Sequence, residues 1–234
     1  DIGNWDVSSV TTMYSMFMNA ESFNQDLSDW DVSSVTTTYQ MFKNAESFNG
    51  DISDWDVSNI TNMMMLFSGA SSFDQDLSDW DVSNVTNMYY TFGSTSFNQD
   101  ISSWDVSSVT SMIGMFWYTD AFNQDISSWD VSSVTNMSYM FSNSSNFNQD
   151  ISGWDVSNVT NMYNMFRSTS SFNWDISGWD ISNVTSMDYM FSNANALSDE
   201  NKCAIHTAFS SNANWPHDWA DNCYQFATKE ELQT

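Results

Sequence analysis

Apolar residues recur along this chain with a period far longer than that of a helix or a strand. Trp5, Trp30, Trp55, Trp80, Trp104, Trp129, Trp154 and Trp179 lie 25 residues apart, with a single interval of 24 between Trp80 and Trp104. Each belongs to the same unit, W-D-V-S-x-V-T-x-M-x-x-M-F-x-x-A-x-x-F-N-Q-D-I-S-x. A fixed period in the twenties marks stacked coils, because one unit cannot enclose its own apolar side and is stable only against its neighbours. The array occupies residues 1–197, and residues 198–234 are non-repetitive, reading as a C-terminal cap.

Two rhythms alternate within a coil. Leu27, Trp30 and Val32 have the L-x-x-L-x-L spacing of a leucine-rich-repeat strand, which would turn Trp30 and Val32 inward and Asp31 and Ser33 outward. The stretch that follows, S-x-V-T-x-M-x-x-M-F-x-x-A-x-x-F, repeats its apolar groups every three and four residues. That spacing predicts a short helical or 3₁₀ segment, with a brief second strand at V-T as the alternative. The inward columns are nearly uniform: Phe17, Phe42, Phe67, Phe92, Phe116, Phe141, Phe166 and Phe191 in one, and Phe23 to Phe172, ending at Leu197, in another. Methionines such as Met63, Met88 and Met137 fill between them as core. The fourth unit is one residue short between Phe92 and Phe97, so an indentation is expected there, with the strand ladder running on through it.

The strings W-D-V-S-N-V-T-N-M at 80–88 and 154–162 and F-N-Q-D-I-S at 122–127 resemble the bacterial surface-protein repeat of 25 to 26 residues, a relative of the BspA-like leucine-rich repeats. The resemblance runs across the whole array and implies a right-handed solenoid on secreted or cell-surface proteins, with adhesion among its roles and no catalytic residues. The expected fold is therefore a repeat solenoid. It is a leucine-rich-repeat-like right-handed coil with a parallel β-sheet of about eight strands on one face, short helical, 3₁₀ or strand segments on the other, and a cap.

Charge narrows the choice of partners. Four basic residues face 30 acidic ones, a net charge of −26, which repels a nucleic-acid backbone. No run of 18 apolar residues predicts insertion into a membrane. Asp1 holds the repeat position of Asp26 and Asp51, so the pattern starts in mid-unit. The expectation is a bare N-terminal end covered by further repeats or a partner. Cys203 and Cys223, the two cysteines, read as a disulfide stabilising the cap by roughly 3 kcal/mol in an extracellular setting, or as two thiols in a reducing one.

Candidate chemistry lies in the outward columns. Asp6, Asp31, Asp56, Asp81, Asp105, Asp130, Asp155 and Asp180 form a row of carboxylates whose neighbours repel by about 0.9 kcal/mol per pair in bulk water. Hydrogen bonds from Ser and backbone amides offset this, or calcium does, and Asp29, Asp54 and Asp79 thicken the charge in the first half. No cofactor is required; calcium is the one candidate. A second row, Asp26 to Asp175, reads as turn-forming. Thr11, Thr36, Thr61, Thr86, Thr110, Thr135, Thr160 and Thr185 form an uncharged row that either caps local amides or, as in ice-binding solenoids, matches ordered water. Tyr14, Tyr39, Tyr89 and Tyr163 share one repeat position, while Trp117 and Trp174 interrupt their own columns; such rings suit protein or glycan contacts, or pack over the coil edge. His206 and His217 lie in the tail and make no triad with the abundant Ser and Asp. The reading is a non-enzymatic extracellular or cell-surface scaffold for adhesion or recognition, with ice binding and a structural spacer as alternatives.

Overall fold

In the computed structural model, whose described residues are 2–223, each repeat is a succession of tight turns. Trp30 N–H donates to Leu27 O at 3.1 Å, Val35 to Val32 at 2.8 Å, Met41 to Thr38 at 2.9 Å, Ala45 to Phe42 at 3.0 Å and Phe48 to Ala45 at 2.9 Å. Later coils close the same turns, except the short fourth, where the Thr95 hydroxyl donates to Phe92 O at 2.7 Å and accepts from Phe97 N at 3.3 Å. Among the described residues the repeats contain no helix or 3₁₀ segment, and their β contacts are seven isolated parallel bridges, running from Thr12–Thr37 by one repeat at a time to Asn161–Ser186.

The leucine-rich-repeat-like solenoid with its eight-stranded parallel sheet is therefore not formed, and the reason is local. In the segment expected to be a strand, the Trp amide turns back to the carbonyl three residues earlier, the Val35 amide just after it does the same, and the Ser amides bond Asp carboxylates two residues earlier (Ser33 N to Asp31 Oδ1, 3.0 Å). Those turns curl the segment, and among the described residues its remaining amides, Leu27, Asp29, Asp31 and Val32, reach no carbonyl of a neighbouring coil. The expected helical half is absent for a conformational reason. Ser15, Gln40, Met65, Tyr90, Tyr139, Asn164 and Tyr189, with Gly114, all have positive φ, and so do the residues four places on, from Asn19 to Asn193. Two left-handed residues per coil interrupt any run of helical dihedrals.

Those left-handed residues turn alternate amides toward the next coil. Thr38 N donates to Asn62 O (3.3 Å), Gln40 to Met64 (3.0 Å), Phe42 to Leu66 (2.9 Å) and Asn44 to Ser68 (2.8 Å), and the other coils repeat the pattern. Donors in this lane point one way along the stack, as peptide groups do along a helix. The Thr amides just before it point the other way, Thr36 N to Thr11 O at 2.9 Å. At the short fourth unit the bridges continue, Asn87 pairing with Ser111.

The core lies between lane and turns. Phe42 stacks on Phe48 of its own coil at 3.9 Å and on Phe67 of the next at 5.8 Å, and this pattern repeats along the array. From Phe42 to Phe172 both columns are fully buried, each ring contributing roughly 1.5–3 kcal/mol when covered. Buried Met63, Met88 and Met137 fill the gaps, as the periodicity required. From Trp30 onward each column Trp leans on the Phe of the coil before and fastens to it, Trp55 Nε1 donating to Leu27 O at 3.0 Å.

The two ends differ. In the first coil Trp5 is 55% exposed, against 3% for Trp30, and Phe17 and Phe23 are half-buried. Asp1, by which the pattern was seen to start in mid-unit, lies outside the described residues. The last coil is covered by α1, Asp199–Phe209, and the segment after it. Ser198 caps α1 by accepting from Asn201 N, and Asp199 and Glu200 suit the positive end of its dipole. Ile205 and Phe209 are buried; Trp215, His217 and Trp219 surround Phe191, and Asn212 Nδ2 donates to Ile181 O and Val184 O at 2.8 and 3.0 Å. Cys203 and Cys223 are joined in a disulfide.

Candidate functional site

The bridges hold equivalent residues one above another, so each outward position becomes a stripe. In the first carboxylate stripe, Asp6, Asp31, Asp56, Asp81, Asp105, Asp130, Asp155 and Asp180 are all exposed, and each accepts from the amide of the Ser two residues on at 2.9–3.2 Å. In the first four members the Ser hydroxyl adds a short second bond, as Ser33 Oγ does to Asp31 at 2.6 Å. The second stripe makes the same turn, for example Asp51 with Ser53 and Asp150 with Ser152. Hydroxyl and then amide hold the carboxyls of Asp6, Asp31, Asp81, Asp105 and Asp155 below the usual range. For Asp6 the opposing push of Asp31 is the smaller influence. Asp29, Asp54 and Asp79 stay exposed beside the stripe, and among the described residues no three His, Cys, Asp or Glu side chains converge to hold a metal ion.

The threonine stripe has no helix to cap. Instead Thr36, Thr61, Thr86, Thr110, Thr135, Thr160 and Thr185 each donate Oγ1–H to the backbone carbonyl of the preceding member, at 3.1–3.4 Å, beside the amide that bonds the same oxygen. Their hydroxyl protons are thereby committed to joining coils, leaving methyls and lone pairs at the exposed surface. The Asn of N-Q-D forms a further ladder that periodicity alone did not disclose. Asn49 N donates to Asn24 Oδ1 at 2.9 Å, Asn123 N to Asn98 Oδ1, and Asn173 N to Asn148 Oδ1. The signal was the persistence of Asn or Asp at that position through the array.

The aromatic groups form a strip along the lane. Tyr14 meets Tyr39 at 5.0 Å, Tyr163 meets Tyr139 at 5.3 Å, and Tyr89 meets Tyr90 at 4.6 Å. Tyr90, Tyr139 and Tyr189 were not among the expected residues; they occupy the left-handed position just after it. Burial pushes the Tyr90 hydroxyl up to about 12. Trp174, 38% exposed, takes the role of the Gln in N-Q-D: its Nε1 donates to Asn148 O at 3.0 Å, where Gln149 Nε2 bonds Asn123 O at 2.7 Å. In the cap, His217 Nε2 accepts from Phe191 N (3.4 Å) and His206 Nδ1 from Trp215 Nε1 (3.1 Å), so both imidazoles hold structure. An open groove between the last coil and the cap is lined by Trp179, Asp180, Thr185, Ser211 and Asn214.

These features define a tandem-repeat protein that presents stripes of identical side chains over a continuous aromatic core. The chain belongs to the family described as Mycoplasma protein of unknown function, DUF285, whose model matches residues 1–100 and 89–204. That match supports a repeat family of surface-protein type, and not the particular 25/26-residue bacterial surface repeat that the strings resembled. No curated protein and no solved structure matches the chain.

Proposed function

We propose that the chain is a non-enzymatic recognition scaffold of an extracellular or cell-surface protein, with a protein or a glycan as its ligand and no required cofactor. The observation that carries this reading is register. Seven successive bridges keep Asp over Asp, Thr over Thr and Tyr near Tyr, so a weak contact made by one coil is multiplied along the stack. The Cys203–Cys223 disulfide suits an oxidising compartment. The net charge of −26 opposes nucleic acid, and among the described residues no helix is long and apolar enough to cross a membrane. The test is binding of the labelled intact chain to cultured cells and to arrays of matrix proteins and glycans. Saturable attachment that unlabelled chain displaces is expected; failure on every surface overturns the reading in favour of a structural spacer.

A further inference from the structure

Two irregularities of the repeat fall on one spot. The short interval removes a residue between Phe92 and Phe97, and in the same and the following coil the lane carries Tyr89, Tyr90, Trp117 and Tyr118. Tyr89 and Tyr90 meet at 4.6 Å and 57°, Tyr90 and Trp117 at 5.4 Å and 71°, and Trp117 and Tyr118 at 4.5 Å and 77°. Tyr90 lies against Gly114, where an added Cβ would come within 2.5–2.7 Å of three ring atoms, and against Gly93, where it would come within 3.0 Å. Glycines in two adjacent coils thus make the seat for this ring.

Trp117 also differs from the structural tryptophans in what its indole does. Those of Trp80, Trp104 and Trp129 donate to the coil before, and that of Trp174 replaces a Gln. Trp117 Nε1 has no acceptor among the described residues, and neither do the hydroxyls of Tyr89, Tyr90 and Tyr118; none of these atoms is a buried orphan. The surroundings carry little charge: residues 61–73, 86–97 and 110–119 hold no charged side chain in a chain of net charge −26, and the nearest carboxylate along the chain, Asp120, is held by Ser145 N and Oγ. A charged ligand finds no counterpart here, and a cation is drawn to the Asp stripes instead. Ring faces set at steep angles, with the Trp117 indole N–H and the Tyr89 and Tyr118 hydroxyls unpartnered at their edges and Tyr90 seated deeper as an apolar face, complement a hexose, which has an apolar C–H face and a rim of hydroxyls.

We propose that Tyr89, Tyr90, Trp117 and Tyr118 form a binding site for a hexose unit of a neutral oligosaccharide. This rests on the recognition reading and gives its ligand class. The intact chain is titrated with cellohexaose, laminarihexaose and mannohexaose by calorimetry and tryptophan emission. At least one hexaose is expected to bind, with Trp117→Ala and Gly114→Ala each weakening it about tenfold or more and Trp174→Ala leaving it unchanged. Gly114→Ala retains every aromatic group and displaces Tyr90, while Trp117→Phe keeps a ring and loses the N–H, giving an intermediate loss; near-ultraviolet dichroism checks that each variant is folded. No binding of any of the three at millimolar concentration, or binding that survives both weakening variants, overturns the site. Cell attachment indifferent to the hexaoses and to Trp117→Ala would overturn the site while leaving the recognition reading intact, and a protein ligand competing at Tyr90 in their place would reassign it to a peptide.

Discussion

The W-D-V-S edge and the lane are cut from the same 25 residues, yet they satisfy their backbones in opposite ways. The edge closes on itself: Val35 returns to Val32, Ser33 to Asp31, and the main tie to the next coil is an indole, Trp55 Nε1 to Leu27 O. The lane closes on its neighbour, with four amides per coil handed forward, as from Thr38, Gln40, Phe42 and Asn44. An edge turn can form in an isolated unit, whereas the lane needs the coil after it, so cohesion of the stack resides in the lane and in the rings beneath it.

The largest effect is expected in the rings. Phe116→Ala removes a side chain from both the within-coil and the between-coil stack, and a loss of about 3–5 kcal/mol should appear in chemical denaturation. Next comes the tie between edge and core. Trp129→Phe keeps an aromatic group but loses the indole bond to the Ile101 carbonyl, which retains the Trp104 amide, and part of the buried ring, costing about 1–3 kcal/mol by the same measurement. An indistinguishable midpoint would mean that the edge contributes nothing to stacking. A third substitution addresses the lane's conformation. Asn143 has φ 62°, so Asn143→Val should lower stability by about 1–2 kcal/mol while Asn143→Gly does not, and equal melting temperatures for the two would remove the left-handed argument.

The smallest effect is a dependence on pH that separates cap from edge. Burial pushes His217 down to about 4, so between that value and its unfolded value of about 6.5 the unfolded chain binds more protons. Stability contributed by the neutral imidazole is therefore complete above that window and falls as the pH drops through it. Asp31 and Asp105 have depressed carboxyls, so their contribution is present above about pH 4 and disappears as the pH falls through the lower folded values. Melting temperatures across this range should show two limbs. His217→Gln should flatten the upper limb alone; a variant curve that follows the parent curve at every pH would show that the cap does not report on His217.

Much of the architecture is legible in the sequence, and the limits of that reading have physical causes. Burial of Leu27, Trp30, Val32 and the two Phe columns follows from periodicity, since spacing reports which side chains avoid water. The Leu-x-x-Trp-x-Val spacing also suits a strand, and Met-x-x-Met-Phe suits a helix, because turns and regular elements can hide the same side chains. What spacing does not carry is the direction of the peptide groups. Asp and Ser two residues apart were a signal for turns at the edge, and the row of Ser, Gln, Met, Tyr and Asn at the left-handed position gave none, since those residues have no common preference for it beyond Asn.

By itself the sequence determined the repeat, its 25-residue register, the aromatic core and the acidic surface, because period and polarity are properties of side chains in order. Tertiary structure decided that the coils are built of turns, that the Trp117 indole meets no acceptor among the described residues while that of Trp174 does, and that the lane hands its amides forward. Each of these depends on where a backbone group or a ring finds its partner in an adjacent coil, and that partner lies some 25 residues away along the chain.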